Sequence, residues 1–594
     1  MSRQAGGQAS GEAGSESGRG GGTRRRRAWG GRRPEEAGRA VGRTAEVALA
    51  AMVAVAAVAG VLVPGRAAAQ ITPTSAQEIQ VSAVQTFQAA PVVASDAFGD
   101  FVVVWQRPEA GGAGEDILAQ LYHPDPANGV AASGSPIQVN TATGVCQQFP
   151  AVAADAAGNF VVVWQRLVGG ANGWDVYMRR FSSAGAPLAG EVPVNTTTAG
   201  NQERPAAAMA PDGRYLVVWQ SDSQSGGQGW DVAAQAFTAA GAAVGGEVTV
   251  NANLAGAQHS PRAAFVAAPR AGFAIVWESG GGIVGRRFTP GGVAIDAAEL
   301  PINSTTTGTQ RNPAVAADPS GNYVVAWESV DANGLASRIL ARRFQGAAPI
   351  GNMSDVVVDA TPGATAQHDP ALATDTIGNW LVSWDSIGED GSGAGIVAQQ
   401  FDSRQTPQGA KVKLDNTITA GDQTLPSVAM SQGGNLLVAW QSLTPAGDAA
   451  VIEARPASLP SRRFYTLTPC RVVDTRGPNG PLGGPVLASG AARIFPLLSG
   501  ACGIPATAKA LALNITAVTA SGYGFLTVYP GDAPFPGSST LNFDPAHALG
   551  TLANNADVAL SLDGQGNVAV VADVVGGNNT VHLIIDVNGY FQYP

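Results

Sequence analysis

Two tryptophans stand in near-identical polar settings, Asn172-Gly173-Trp174-Asp175 and Gln228-Gly229-Trp230-Asp231. An indole held out by such a segment can stack on a sugar ring, or it can tuck against the edge of its own sheet. Trp174 and Trp230 are therefore the candidate ligand-binding residues. Glu389-Asp390-Gly391-Ser392-Gly393 has the oxygen-rich look of a calcium loop but lacks the alternating carboxylates of one, so no metal is expected there. The five histidines, His123, His259, His368, His547 and His582, are scattered, and there is no H-E-x-x-H, G-x-S-x-G, phosphate-loop or S-x-D-x-G-x-T-W pattern. No C-x-x-C motif or Cys/His cluster offers a zinc site. No catalytic residue and no cofactor is assigned. Paired carboxylates for glycoside cleavage leave no local signature, so their absence cannot be read from sequence.

The elements that must carry these residues are strands. Only 13% of the 594 residues are charged, with 76 Gly and 38 Pro, a composition of strands and turns. Residues 1–45 are an Arg/Gly-rich segment too poor in apolar residues to fold. Residues 46–69 have the form of a signal peptide: the uncharged run Val47 to Gly65, then Ala67-Ala68-Ala69, with cleavage expected before Gln70. Removing the 11 Arg and 5 Glu of residues 1–69 from the 35 basic and 45 acidic residues leaves 24 against 40, a net of −16. A chain so acidic is expected to avoid nucleic acid and anionic lipid. It is expected to be secreted or held at the cell surface, without a further membrane span, and to be a monomer.

A repeat dominates residues 78–456. Asn159-Phe-Val-Val-Val-Trp164-Gln recurs as Asp100-Phe-Val-Val-Val-Trp105-Gln and Arg214-Tyr-Leu-Val-Val-Trp219-Gln, and more loosely at Trp277, Trp327, Trp384 and Trp440. The spacings are 59, 55, 58, 50, 57 and 56 residues. A second marker, Gln-x-x-Pro, runs in phase from Gln88, Gln147, Gln202, Gln258, Gln310, Gln367 and Gln423. Each unit divides into four short strands, which fits the blades of a propeller. The seven tryptophans are expected to be structural core. The seven glutamines are expected near one channel mouth, each capping a turn through the backbone. The chain begins its first unit with Glu78-Ile-Gln-Val-Ser82, similar to the outer strand Glu191-Val-Pro-Val-Asn195, while the seventh unit lacks an outer strand. The N-terminus is thus expected to close the ring and remove its open edge. The repeat resembles units of large secreted bacterial proteins, patterned G-N-F-V-V-x-W, R-F and V-N-T-x-T-x-G-x-Q-x-x-P. That resemblance implies a secreted or surface protein and no activity.

Beyond residue 460 the texture changes to Cys470-Arg-Val-Val-Asp-Thr-Arg476, Cys502-Gly-Ile-Pro505 and Ile585-Asp-Val-Asn-Gly-Tyr-Phe591. This segment resembles a C-terminal domain of exported bacterial proteins, which implies an accessory surface module. Alternating apolar residues suggest a β-sandwich-like domain. Cys470 and Cys502 are the natural disulfide pair, leaving Cys146 as a free thiol. Asp474 and Arg476 are expected to form a buried structural pair.

The expected architecture is all-β: a seven-bladed propeller over 70–460 and a smaller β domain over 461–594. The expected function is non-enzymatic binding of a glycan or protein through the variable polar loops. The alternatives are a polysaccharide hydrolase or lyase with its site in the channel, and a scaffold without ligand. Converging Asp, Glu, His or Arg at the channel mouth favours the enzyme, and a bland Gln/Thr ring the binder.

Overall fold

The computed structural model describes residues 71–592, apart from 76–77, 83–86, 110–111, 113, 170–172, 223, 225–228, 351–353, 360–365, 389–392, 416–419, 446, 448, 460–462, 545–550, 562–564 and 577–578. The signal segment, the Arg/Gly-rich segment before it, the Glu389–Ser392 stretch and His547 lie outside the described residues. No described helix is long and apolar enough to cross a membrane.

Seven antiparallel sheets follow one another along the chain, each built in the order a-b-c-d from the channel outward. The a strands are Ala89–Ser95, Gln147–Ala154, Gln202–Met209, Gln258–Val266, Thr309–Ala317, Gln367–Thr374 and Gln423–Met430. The b strands are Phe101–Pro108, Phe160–Leu167, Tyr215–Ser221, Gly272–Ser279, Asn322–Val330, Trp380–Ile387 and Asn435–Leu443. Each b strand is a continuous apolar run because sheets cover both its faces. Each a strand packs against the next, and that of blade 7 against that of blade 1, so the ring is closed. In blade 7 the c strand Ala450–Ser458 pairs with the N-terminal strands Thr72–Pro73 and Ile79–Gln80, with Ile79 opposite Ala454 and Gln80 opposite Glu453. The chain's own beginning therefore supplies the missing outer strand.

The a–b turn shows how a short motif makes a blade. Asp155 Oδ1 accepts the N–H groups of Ala157 and Asn159 at 2.9 Å each. Gly158 supplies the left-handed residue, φ +82°, that closes this turn. The turn sets the register in which Phe160 faces Phe181, their rings stacked at 5.1 Å. Tyr215–Phe237, Tyr323–Phe344 and Trp380–Phe401 repeat that cross-strand pair.

The seven repeat tryptophans are buried core, each with a relative exposure of 1% or less. In five blades the indole N–H donates to the marker glutamine: Trp105 to Gln88, Trp164 to Gln147, Trp219 to Gln202, Trp277 to Gln258 and Trp327 to Gln310, at 2.6–3.1 Å. The glutamines are themselves buried, and four of them send Nε2 to a backbone carbonyl of the preceding turn. The turn-capping role is present. What sequence reading missed is that the two repeat markers are hydrogen-bonded to each other.

Two facing sheets form the C-terminal domain. One runs Arg463–Asp474, Thr580–Gln592, Ala510–Val518, Thr551–Ala559, and the other Ala492–Pro496, Asn567–Val575, Tyr523–Pro530, Leu541–Phe543. Leu511, Ile515, Leu526, Val568, Val570, Leu583 and Ile585 are buried between them. The closing D-V-N-G-Y-F lies in the long strand Thr580–Gln592, where a Cβ on Gly589 would come 2.4 Å from the Phe464 ring. Cys470 and Cys502 are bridged, and Cys146 is free. Asp474 and Arg476 do pair, at 2.7 Å, but the side chains are 27% and 45% exposed, so the expected burial is corrected. Arg471 shares the site, and the charge and hydrogen bonds of Arg476 hold the Asp474 carboxyl down at about 2.

Two outcomes follow from these contacts. Trp164→Phe strands the Oε1 of buried Gln147 and is expected to cost about 1–3 kcal/mol, whereas Trp440, whose buried Nε1 has no partner among the described residues, loses less on the same change. Thermal unfolding of the two variants side by side checks the difference, and equal losses would discount the pairing. Reduction of the disulfide, which spans 32 residues, is expected to remove about 3–4 kcal/mol from the C-terminal domain. Calorimetry with and without reductant should move the transition of that domain and leave the propeller's in place.

Candidate functional site

The channel wall is built by one irregularity repeated seven times. In each a strand the register slips by one residue inside Gln-x-x-Pro, as between Glu203 and Ala206. The residue before the proline takes up the extra length in a left-handed conformation: Ala90, Phe149, Arg204, Ser260, Asn312, Asp369 and Leu425 have φ between +47° and +54°. Such a bulge re-aims a side chain. All seven of these residues line a channel cavity of about 390 Å³, together with six of the prolines and the seven residues after the prolines. The volume is that of a small-ligand pocket.

The N–H of the bulged residue is caught by the preceding blade. Phe149 N donates to Gln106 at 2.8 Å, Arg204 N to Gln165 at 2.9 Å, Ser260 N to Gln220 at 3.2 Å and Asn312 N to Glu278 at 2.8 Å. In these four contacts the acceptor is the residue after the repeat tryptophan; in blade 7 Gln441 Oε1 accepts from no described residue. That position holds Gln in blades 1, 2, 3 and 7, and Glu278, Glu328 and Asp385 in blades 4, 5 and 6. Opposite them across the a–b ladder stand His259, Arg311 and His368. Three consecutive blades thus carry an acid–base pair at this rung, forming one charged arc.

Glu328 is the buried centre of the arc, with 0% exposure. It accepts from Arg311 Nη2 at 2.6 Å and Asn312 Nδ2 at 3.2 Å, and its Oε1 lies 2.9 Å from His368 Nδ1. Burial pushes its pKa up, but the His368 and Arg311 contacts outweigh that and hold it below the usual value. His368 is raised in turn, first by Glu328. Asn312 Nδ2 also reaches Asp369 Oδ1 at 3.1 Å, so one amide bridges two carboxylates. Asp369 faces the channel; burial and then the Glu328 charge raise its pKa. Asp385 is 3% exposed and is pushed up to about 7, by burial and then by Asp369. Glu278, half-buried, holds the backbone N–H of the same Asn312. Two partly exposed carboxylates, Glu278 and Asp369, therefore flank Asn312, and environments of opposite effect act on Glu328 and Asp385. That is the disposition from which acid and base roles are drawn.

Trp230 lies half-buried with its ring 6.0 Å from His259, next to the arc. Trp174 is half-buried two blades before the arc begins, its backbone N–H held by Asn201. Neither lines the channel. The polar loops expected to bind are largely spent on the frame. Asn140, Asn195, Asn251 and Asn303 each accept a c-strand N–H and donate to a carbonyl two residues on. Glu191, Glu247, Glu299 and Asp355 each accept N–H groups from the linker of the preceding blade. Among the described residues, no group of His, Cys, Asp or Glu is placed to hold a metal ion.

No protein-family model and no curated protein matches the chain. Among solved structures, a protein of unknown function from Dyadobacter fermentans is 12% identical over 65% of this chain and 98% of its own, with a TM-score of 0.40. An α-L-arabinofuranosidase from Fusarium graminearum is 9% identical over 65% and 98%, TM-score 0.35. An α-L-arabinanase from Penicillium chrysogenum, complexed with arabinobiose, is 11% identical over 66% and 97%, TM-score 0.36. The expected non-enzymatic binder acting through its polar loops is corrected. In place of the bland ring that a binder would show, the channel wall carries Asp369, Arg204 and Arg262, with Glu328, Arg311 and His368 joined beside Asp369.

The raised Asp385 makes a stability prediction. An unfolded aspartate ionises near pH 4, while the folded one resists until about 7. The folded state is therefore penalised progressively between those values, and fully above them. Asp385→Asn is expected to stabilise the propeller at pH 8, by order 1–4 kcal/mol, and to leave it unchanged at pH 3.5. Melting curves at the two pH values check this, and a destabilised variant at pH 8 would contradict it.

Proposed function

We propose that the chain is a glycoside hydrolase whose site is the channel arc of blades 4 to 6. The observation that carries this reading is the carboxylate pair Glu278 and Asp369 on either side of Asn312. Glycosidic cleavage needs one carboxyl to protonate the leaving oxygen and a second to act as nucleophile or to activate water. Asp369 is the acid in this scheme, since it faces the cavity and its environment favours the protonated form. Glu278 is the partner carboxylate. Glu328 does not touch substrate; buried between Arg311, Asn312 and His368, it positions Asn312 and keeps a negative charge beside Asp369. Asp385, nearly buried, is the neighbouring proton holder. The Cys470–Cys502 bridge suits an oxidising compartment, and an exported, extracellular setting is part of the proposal.

Reducing-end release from a panel of glycans, arabinan included, by the chain from residue 70 onward tests the reading. Asp369→Asn is expected to lower kcat roughly 10²–10⁴-fold, the usual weight of general acid catalysis, and Trp174→Ala to leave it unchanged. Activity should fall as pH rises past the acid's titration, because only its protonated form serves. Full activity in Asp369→Asn would remove the assignment.

A further inference from the structure

The wall that precedes the carboxylates is positive, and nothing in the proposed chemistry uses it. Arg204, from blade 3, and Arg262, from blade 4, both line the channel cavity. Their counterparts in the other repeats are small, apolar or uncharged, except Asp369: Ala90, Phe149, Ser260, Asn312 and Leu425 match Arg204, and Val92, Ala151, Ala206, Ala314, Ala371 and Ser427 match Arg262. The frame therefore requires no cation at either position.

Neither guanidinium is held in a salt bridge, although Asp369 and Glu278 act on Arg262, and Glu203 on Arg204, from farther off. No described carboxylate lies within 4.0 Å of either one. Arg204 lies with its guanidinium carbon 4.7 Å from the centre of the Phe149 ring, and that side chain donates no hydrogen bond to a described residue. Arg262 gives one bond, from Nη1 to its own Pro261 carbonyl at 2.9 Å. Solvent reaches Arg262 although protein surrounds it, and this confinement, followed by the charge of Arg204, lowers its pKa. Two like charges near enough to disturb one another, stacked or tethered rather than paired, leave most of their donors directed at the cavity. Such a pair fits the planar or tetrahedral oxygens of an anion.

We propose that Arg204 and Arg262 anchor an anionic substituent of the glycan, a carboxylate of a uronic acid or a sulfate ester, with the adjoining glycosidic bond presented to Asp369. The proposal rests on the hydrolase reading for what enters the channel, and adds the substrate class. The acidic surface of the protein does not oppose it, because at physiological salt its field is screened within about 8 Å, a distance over which the arginine pair dominates locally.

Isothermal titration of the chain from residue 70 onward with trigalacturonate, a sulfated carrageenan tetrasaccharide and neutral arabinotriose tests the anchor apart from catalysis. At least one of the two anionic oligosaccharides is expected to bind at least tenfold more tightly than arabinotriose, and the better of them tells carboxylate from sulfate. Arg204→Gln and Arg262→Gln are each expected to weaken it roughly ten- to a hundredfold. Arg262→Lys, which keeps charge but not the fork, should fall between, and unchanged melting temperatures would show that the fold is intact. Anionic binding no tighter than arabinotriose, or surviving in the double glutamine variant, would overturn the anchor. Cleavage of neutral glycans without anionic preference would leave the hydrolase and remove the anchor. Arginine-dependent binding without cleavage of any glycan would do the reverse.

Discussion

The extra residue in each innermost strand is the constraint on which the rest of the propeller depends. A regular a strand would alternate its side chains between the two faces of the blade and offer none to the axis. The left-handed residue before each proline breaks that alternation, with φ near +50° in all seven blades. It costs of order 1 kcal/mol for a non-glycine residue, and the surroundings hold it there. On one side the marker glutamine is tied to the buried tryptophan of its own blade. On the other, the strained residue's N–H is bound by the preceding blade. One motif thus stitches strand to strand and blade to blade while pushing a single free side chain into the channel.

This arrangement explains how a charged site can be set into a structural repeat without weakening it. The residue after the tryptophan has one framework duty, to accept the next blade's N–H. A glutamine amide oxygen and a glutamate carboxylate both do so, as Gln165 and Glu278 demonstrate at 2.9 and 2.8 Å. Replacing amide by acid at Glu278 therefore keeps that bond of the frame and adds charge. The added charge must then be compensated, since an isolated buried carboxylate is very costly. Glu328 is compensated by Arg311, Asn312 and His368. Asp385 is compensated less, which is why its carboxyl holds its proton up to about 7.

The frame was legible in the sequence and the site was not, for a physical reason. Folding acts on all seven units alike, so Trp105 to Trp440 and Gln88 to Gln423 announce themselves by recurrence, as does the displaced strand ending in Gln80 that pairs with Glu453. A site acts once, and its residues appear as departures from the pattern. Trp-Glu at 277–278 and 327–328 and Trp-Asp at 384–385, against Trp-Gln elsewhere, were visible departures, and aligning the repeats column by column would have exposed them. What no column reveals is that Arg311 and His368, one blade apart, meet on the same carboxylate. That needs the closure of neighbouring blades.

The loops misled because polarity was taken for availability. Variable surface loops on a rigid scaffold are where binding is usually sought. Here the asparagines and glutamates of those loops are occupied in holding strand c and the linkers between blades. A side chain whose donors and acceptors are already matched gains little by exchanging them for a ligand's, because the net worth of a hydrogen bond is small and the desolvation cost is not. The groups with unspent capacity are those in the channel: Arg204 and Arg262 with donors to give, and Asp369 with a proton that its surroundings favour keeping. The propeller's chemistry is therefore sited by what the frame leaves over, and the frame leaves it over at the one residue per blade that the bulge sets free.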